Sequence, residues 1–306
     1  MSKIVVVGGA GYLGRPLCQR LAAAGHQVSV LDRGTFGLPP QMDDRIATVR
    51  SDVRLREVVR EVVRGVDAVV HLGFVNGREA VAASHHVADS INVTATRWLV
   101  DEVLRAQVPK LIVCGDAYES LSDGPATPYG DQMADMERTF FDDAACGYEK
   151  TLLRLPLLFG FSTRMRFDLP INQMVAQAIC DGTVVEPTRK AVVPHLHVAD
   201  AVTALKMMLD APVDPGVRAL NVGGEGIDLR DVVGTLKKAR ADLRVVEGEV
   251  DLDTVEIDGS EFRTRTGFGR AVPFEDGIRE VASFLIQQRG SLNWTDPVFH
   301  NRKMPL

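Results

Sequence analysis

The stretch Lys3-Ile-Val-Val-Val-Gly-Gly-Ala-Gly-Tyr-Leu-Gly14 restricts this chain's fold more than any other. Ile4–Val7 is a β-branched run of strand length, and Gly8, Gly11 and Gly14 follow it at once. Glycine permits a tight turn and a close backbone approach that a Cβ would block. A helical pattern opens at the last glycine, and Asp32 closes the next apolar run 18 residues later. So arranged, the turn and the helix N-terminus offer N–H donors and a partial positive charge to a pyrophosphate. A carboxylate ending the second strand accepts ribose hydroxyls and repels a 2′-phosphate. Together these features describe a dinucleotide site walled by Gly8, Gly11, Tyr12, Leu13, Gly14 and Asp32, with NAD expected over NADP. Arg33 is the neighbour that would suit NADP. A Gly-rich turn beside a surface Asp is the blander account, and it leaves the spacing unexplained.

The alternation continues along the chain. Val28–Leu31, Val66–Leu72, Leu111–Val113 and Leu152–Leu155 are strand-length apolar runs. Helical spacing separates them, as in Val58, Val59, Val62 and Val63 and from about Val87 to Ala106. Buried strands alternating with helices predict a parallel sheet covered on both faces. The fold class is therefore α/β, a Rossmann-type doubly wound parallel sheet in strand order 3-2-1-4-5-6-7. After Phe159 the pattern is broken by Pro and Gly. A smaller, discontinuous C-terminal substrate lobe is expected from about 159–190 and 226–306, with the nucleotide-binding domain at 1–158 and about 191–225. Trp294 and Phe299, in the polar tail, are expected to pack back on the body or on a second subunit.

Charge and composition exclude other classes. A net charge of −6 argues against nucleic acid as a partner, because neutralising phosphates needs a basic face. No run approaches the roughly 20 apolar residues of a membrane span. The start, MSKIVVVGG, lacks a signal-peptide pattern. Cys18, Cys114, Cys146 and Cys180 are too scattered for a disulfide framework or a zinc site, which suits reduced thiols in a cytoplasm.

Further motifs make a longer pattern: "SDV" at 51–53, "VDAVVHLGF" at 66–74, "INVTATRWLV" from 91, "LLRLPLLFG" from 152, "HLHVADAV" from 195 and "LNVGGEGIDLRDVV" from 220. With the G-x-x-G-x-x-G turn, these resemble the extended short-chain dehydrogenase/reductase family, the sugar-nucleotide epimerases and dehydratases, nearly end to end. The resemblance implies that Asp52 and Val53 contact adenine, and that Leu72, Gly73, Phe74 and Asn92 face the cofactor. It implies a catalytic Tyr129 that also touches the cofactor, and a homodimer formed through the Val87–Ala106 and Asp131–Phe141 helices.

Two departures stand out. Where the family has S-S-S this chain reads Cys114-Gly115-Asp116, and Met133 replaces the Lys of Y-x-x-x-K. A phenol with a pKa of about 10 is ionised in roughly one molecule per thousand at pH 7. Lowering it to neutrality takes about 4 kcal/mol from a cation or hydrogen bonds, and Met supplies none. Lys110 and Lys150 lie at the edges of predicted strands, out of register with Tyr129. An ionised Asp116 would raise the Tyr129 pKa further, whereas a partly buried one could itself act as acid or base. The dTDP-glucose 4,6-dehydratases place T-D-E here, and Ala117 stands where their Glu would be. One reading is an enzyme acting on a small polar or sugar-like molecule, with its proton relay rebuilt on Asp116 and Tyr129, running a redox-neutral step (dehydration, isomerisation, epimerisation or cyclisation) or an altered oxidoreduction. The other is a dinucleotide-binding sensor or partner protein without turnover.

Other residues draw plainer expectations. His195 and His197 share one face of a predicted strand; a metal site is not expected, and His195 is a lesser candidate for a pocket acid or base. Arg164 and Arg166 could clamp an anionic substrate group, but surface solvation is the expectation for both.

Overall fold

The computed structural model describes residues 1–38, 44–122, 126–142, 147–250 and 252–301; Cys146 lies outside them. The apolar runs become β1 (Lys3–Val7), β2 (Gln27–Asp32), β3 (Ile46–Arg50), β4 (Ala68–His71), β5 (Lys110–Asp116) and β6 (Glu149–Leu155). Between them lie α1 (Gly14–Ala23), α2 (Arg56–Val62), α3 (Arg78–Ala83), α4 (His85–Asp89), α5 (Thr96–Arg105), α6 (Ala117–Leu121) and α7 (Pro128–Phe141). The later elements are β7 (Leu157–Phe159), α8 (Pro170–Ala176), β8 (Thr183–Pro187), β9 (Val192–His197), α9 (Val198–Asp210) and β10 (Gly216–Asn221).

The main sheet runs β3-β2-β1-β4-β5-β6-β10, and every neighbouring pair is parallel. This is the doubly wound order expected, with β10 as the seventh strand. On one face α2, α5 and α7 bury Val59, Leu99, Val103, Met136 and Phe140 against Val5, Val69 and Leu111. On the other, α1 and α9 bury Leu17, Leu21 and Leu205 against Ile4, Val6 and Ile112. Each such side chain, removed from water, contributes roughly 2 kcal/mol. The order reverses beside β1, so a crevice opens at the C-terminal ends of β1, β2 and β4, where a doubly wound sheet binds its ligands.

Outside the main sheet, β9 pairs antiparallel with β11 (Glu225–Asp228) and parallel with β7, while β8 pairs with β12 (Arg244–Gly248). A third core gathers Phe159, Phe167, Ile171, Val233, Phe274 and Val281. Val192–His197, expected to open the return to the larger body, pairs within the smaller sheet, although its Leu196 joins the larger body's core and α9 follows it onto α1. The tail aromatics pack back on this lobe: Phe167 meets Trp294 and Phe299 with ring centroids 6.4 and 5.4 Å apart. The helix expected from Val87 to Ala106 contains a π turn at Ser90–Ala95.

Candidate active site

Local rules place the two proposed catalytic side chains together. Asp116 ends β5 with extended backbone and caps α6, its Oδ1 accepting the Glu119 N–H at 3.1 Å. Thr127 caps α7 through the Gly130 N–H at 2.9 Å, and Pro128 follows at the first helical position. Tyr129 therefore sits in the first turn, with Met133 four residues on along the same face. Both line the cleft with Asp116, and the Tyr129 hydroxyl donates to Asp116 Oδ2 at 3.2 Å.

A cation reaches Tyr129 from the smaller lobe. Arg166 Nη1 donates to Asn76 Oδ1 at 3.0 Å, and Asn76 Nδ2 donates to the Tyr129 hydroxyl at 2.9 Å. Asp168 holds the guanidinium by two bonds of 3.1 and 2.7 Å, and accepts the Asn301 N–H at 3.2 Å. Every donor in this chain points toward Asp116, so each bond polarises the next. The nearby Glu119 pairs with Arg78 at 2.7 Å, and Glu137 with Arg154.

Burial raises Asp116 to about 6, with the Glu119 charge adding to it and the Glu119 N–H and Tyr129 hydroxyl opposing. Burial also lifts Tyr129 well above its ordinary value, reinforced by the Asp116 and Glu119 charges and countered by Arg166. Tyr129 is thus a neutral hydroxyl near pH 7, while Asp116 exchanges its proton in the useful range. Neither sequence-near lysine helps. Lys110 donates to Met208 O and Ala211 O at 2.6 and 2.7 Å, and Lys150 lies 4.9 Å over the Phe140 ring. Both sit toward the N-terminal ends of their strands, roughly 15–20 Å along the sheet from Asp116.

Gly8, Gly11, Tyr12, Leu13, Gly14, Asp32, Arg33, Asp52, Val53, Leu72, Gly73 and Phe74 all line the same cleft. A Cβ on Gly8, whose φ is +80°, would lie 2.7 Å from Gly73 N; one on Gly14 would strike Gly8 O. Among the described residues the N–H groups of Tyr12 and Leu13 find no acceptor, which leaves them for a ligand at the N-terminus of α1. Asp32 orders the turn through the Ala10 and Gly34 N–H groups, at 3.0 and 2.8 Å. These residues fit a dinucleotide pyrophosphate and ribose. Asp52 has a second duty, because its carboxylate is shared between Arg54 and Arg33 at 2.7 and 3.4 Å.

Asn92 is not on the cleft wall. The π turn buries it, and its amide is spent on Val75 N, Val75 O and Gln132 at 2.8, 3.0 and 3.0 Å. It fixes the strand-end loop that carries Asn76. The expectation of solvated Arg164 and Arg166 is also corrected, since both line the cleft and only 4% of Arg164 is exposed. His195 is buried off the cleft, its Nδ1 bonded to Val193 O at 2.8 Å, and burial lowers it to about 4. His197 pairs with Glu280 at 2.9 Å. Asn76, Asp168 and Asn301 were invisible to motif reading, because three separate segments bring them together.

A parallel doubly wound sheet, a glycine turn at its switch point and a tyrosine–carboxylate pair across the cleft define a dinucleotide-dependent class of protein. A family model for the NAD dependent epimerase/dehydratase family matches residues 4–223, and the chain belongs to that family, whose cofactor is NAD. It is 28% identical over 267 residues to a UDP-glucose 4-epimerase of Streptomyces lividans, covering 77% of this chain and 80% of that protein. An uncharacterised Mycobacterium tuberculosis protein is 25% identical across 95% of this chain, which spans 30% of that longer protein. The solved structure of MoeE5 in complex with UDP-glucuronic acid and NAD superposes with a TM-score of 0.82 at 21% identity, covering 94% of this chain and 99% of that one.

Proposed function

We propose that this chain is an NAD-dependent enzyme of the epimerase/dehydratase type that converts a sugar-nucleotide or similar polar metabolite without net redox change. The observation that carries the reading is the 3.2 Å bond from Tyr129 to Asp116 inside the cleft that also holds the glycine turn. NAD, when bound, supplies reversible hydride acceptance. Asp116 takes a proton as carboxylate and returns it as acid. Tyr129 stays a hydroxyl, and its proton, donated to Asp116, orients the carboxylate. Asn76 and Arg166 hold Tyr129 in that direction, the task a Lys at position 133 would otherwise share.

Incubation with NAD⁺ and UDP-glucose, UDP-glucuronate or dTDP-glucose, followed by mass spectrometry of products, tests this. Asp116→Asn and Tyr129→Phe should each cut turnover by about a hundredfold or more while NAD affinity stays within about twofold. Unchanged turnover in both variants would sink the assignment. A binding protein without turnover is the second reading. It is favoured by Met133, which is 2% exposed and places an apolar side chain where a cofactor-holding ammonium is expected; product from any of these substrates excludes it.

A further inference from the structure

Among the described residues, Arg164 is a buried cation without an ion-pair partner. Its guanidinium lies 4.0 Å over the Phe36 ring and donates once, from Nη2 to Asn301 Oδ1 at 2.8 Å. Its Nε has no partner and, among the described residues, no carboxylate pairs with it. Asp168, whose charge reaches Arg164, is committed to Arg166 by two hydrogen bonds. Burial, with the like charges of Arg166 and Arg15, lowers Arg164 to about 9, against the opposing charges of Asp168 and Asp32. A desolvated, unpaired charge is costly, so a fold that keeps one is complete only with a counter-charge.

The surrounding bonds say where that counter-charge lies. The segment leading into Arg164 is stitched to the glycine turn at three points. Tyr12 Oη donates to Gly160 O at 2.7 Å, Ser162 Oγ donates to Tyr12 O at 2.7 Å, and Arg15 Nη1 donates to Thr163 O at 3.4 Å. Arg15 itself is occupied by Ala10 O and Gly37 O, both at 2.8 Å. Arg164 is therefore held by its neighbour Thr163 at the open end of α1, on the cleft wall shared with Gly11 and Gly14. Tyr12 and Leu13 offer their N–H groups there.

We propose that Arg164 closes over the dinucleotide pyrophosphate from the smaller lobe, opposite the N-terminus of α1, so that cofactor binding ties the two lobes together. This rests on the NAD-binding reading. The charge is not local to the glycine turn in sequence: it lies 150 residues on from Gly14. The segment 160–164 works as a strap, with Asn301 of the C-terminal tail holding its Arg in place.

Calorimetric titration of the full chain with NAD⁺, ADP-ribose and adenosine tests it. Arg164→Met should weaken NAD⁺ and ADP-ribose by about tenfold or more and leave adenosine unchanged, with Arg164→Lys recovering part of the loss. A thermal melt guards against a folding defect, because removing an unpaired buried cation should leave the cofactor-free protein at least as stable. Asn301→Ala, which frees Arg164 without deleting it, should weaken NAD⁺ by a smaller factor. Equal NAD⁺ affinity in wild type and Arg164→Met overturns the proposal, as does an equal loss for adenosine. Wild type that binds no NAD⁺ overturns the underlying reading instead, which separates the two failures.

Discussion

Met133 leaves Tyr129 without an adjacent ammonium, and the fold answers with Arg166 at one remove. The guanidinium acts through Asn76, so it fixes the hydroxyl's direction more than it lowers the phenol's pKa. Arg166→Met should lower kcat by about ten- to a hundredfold with less change in KM, and Arg166→Lys should restore part of it. Because Asp116 must lose a proton to act as base, turnover should rise with pH through about 6, and that limb should vanish in Asp116→Asn. Stability gives the opposite sign. A carboxyl whose folded pKa is raised from 3.8 to about 6 stabilises the fold below pH 4, and that contribution is lost as pH rises through 6. Asp116→Asn should therefore stabilise the cofactor-free protein at pH 8 by about 1–2 kcal/mol, allowing for the cleft's opening to solvent, with little gain at pH 4.

At the level of elements, the glycine turn is the part most open to a direct test. A Cβ at Gly14 meets the backbone at Gly8 O and, at 2.6 Å, Gly9 Cα, so no side-chain adjustment can make room. Gly14→Ala should abolish measurable NAD binding and lower Tm, as titration and melting would show. The turn was legible because its constraint is local: three glycines between a strand and a helix. Five strands were legible for the same reason, as apolar runs. The strand Ile46–Arg50 was not, because it is an edge with an exposed, mixed-polarity face. Nor was the π turn at Ser90–Ala95, since its sequence keeps an ordinary helical pattern, and Asn92 was misplaced in consequence. The caps at Asp116 and Thr127 bring Asp116 and Tyr129 together, but Asn76 and Arg166 lie 90 residues apart and join only through tertiary structure.

Across the whole molecule, the site is a junction between two cores. The larger body supplies the glycine turn, Asn76, Asp116 and Tyr129. The smaller lobe and the tail supply Arg164, Arg166, Asp168 and Asn301. The sheet and the glycine turn were legible because both follow from periodicity and local turn chemistry. Arg164 and Arg166 read as solvated because nothing in "STRMRFDLP" reports which lobe covers them. In the proposed chemistry Asp116, and not Tyr129, carries the proton. Carbon-13 NMR of the side-chain carboxyls in the cofactor-free protein checks this, with Asp116→Asn to assign the resonance. The expected result is an Asp116 carboxyl that titrates near pH 6; one that titrates near 4, the ordinary carboxylate value, would contradict the assignment.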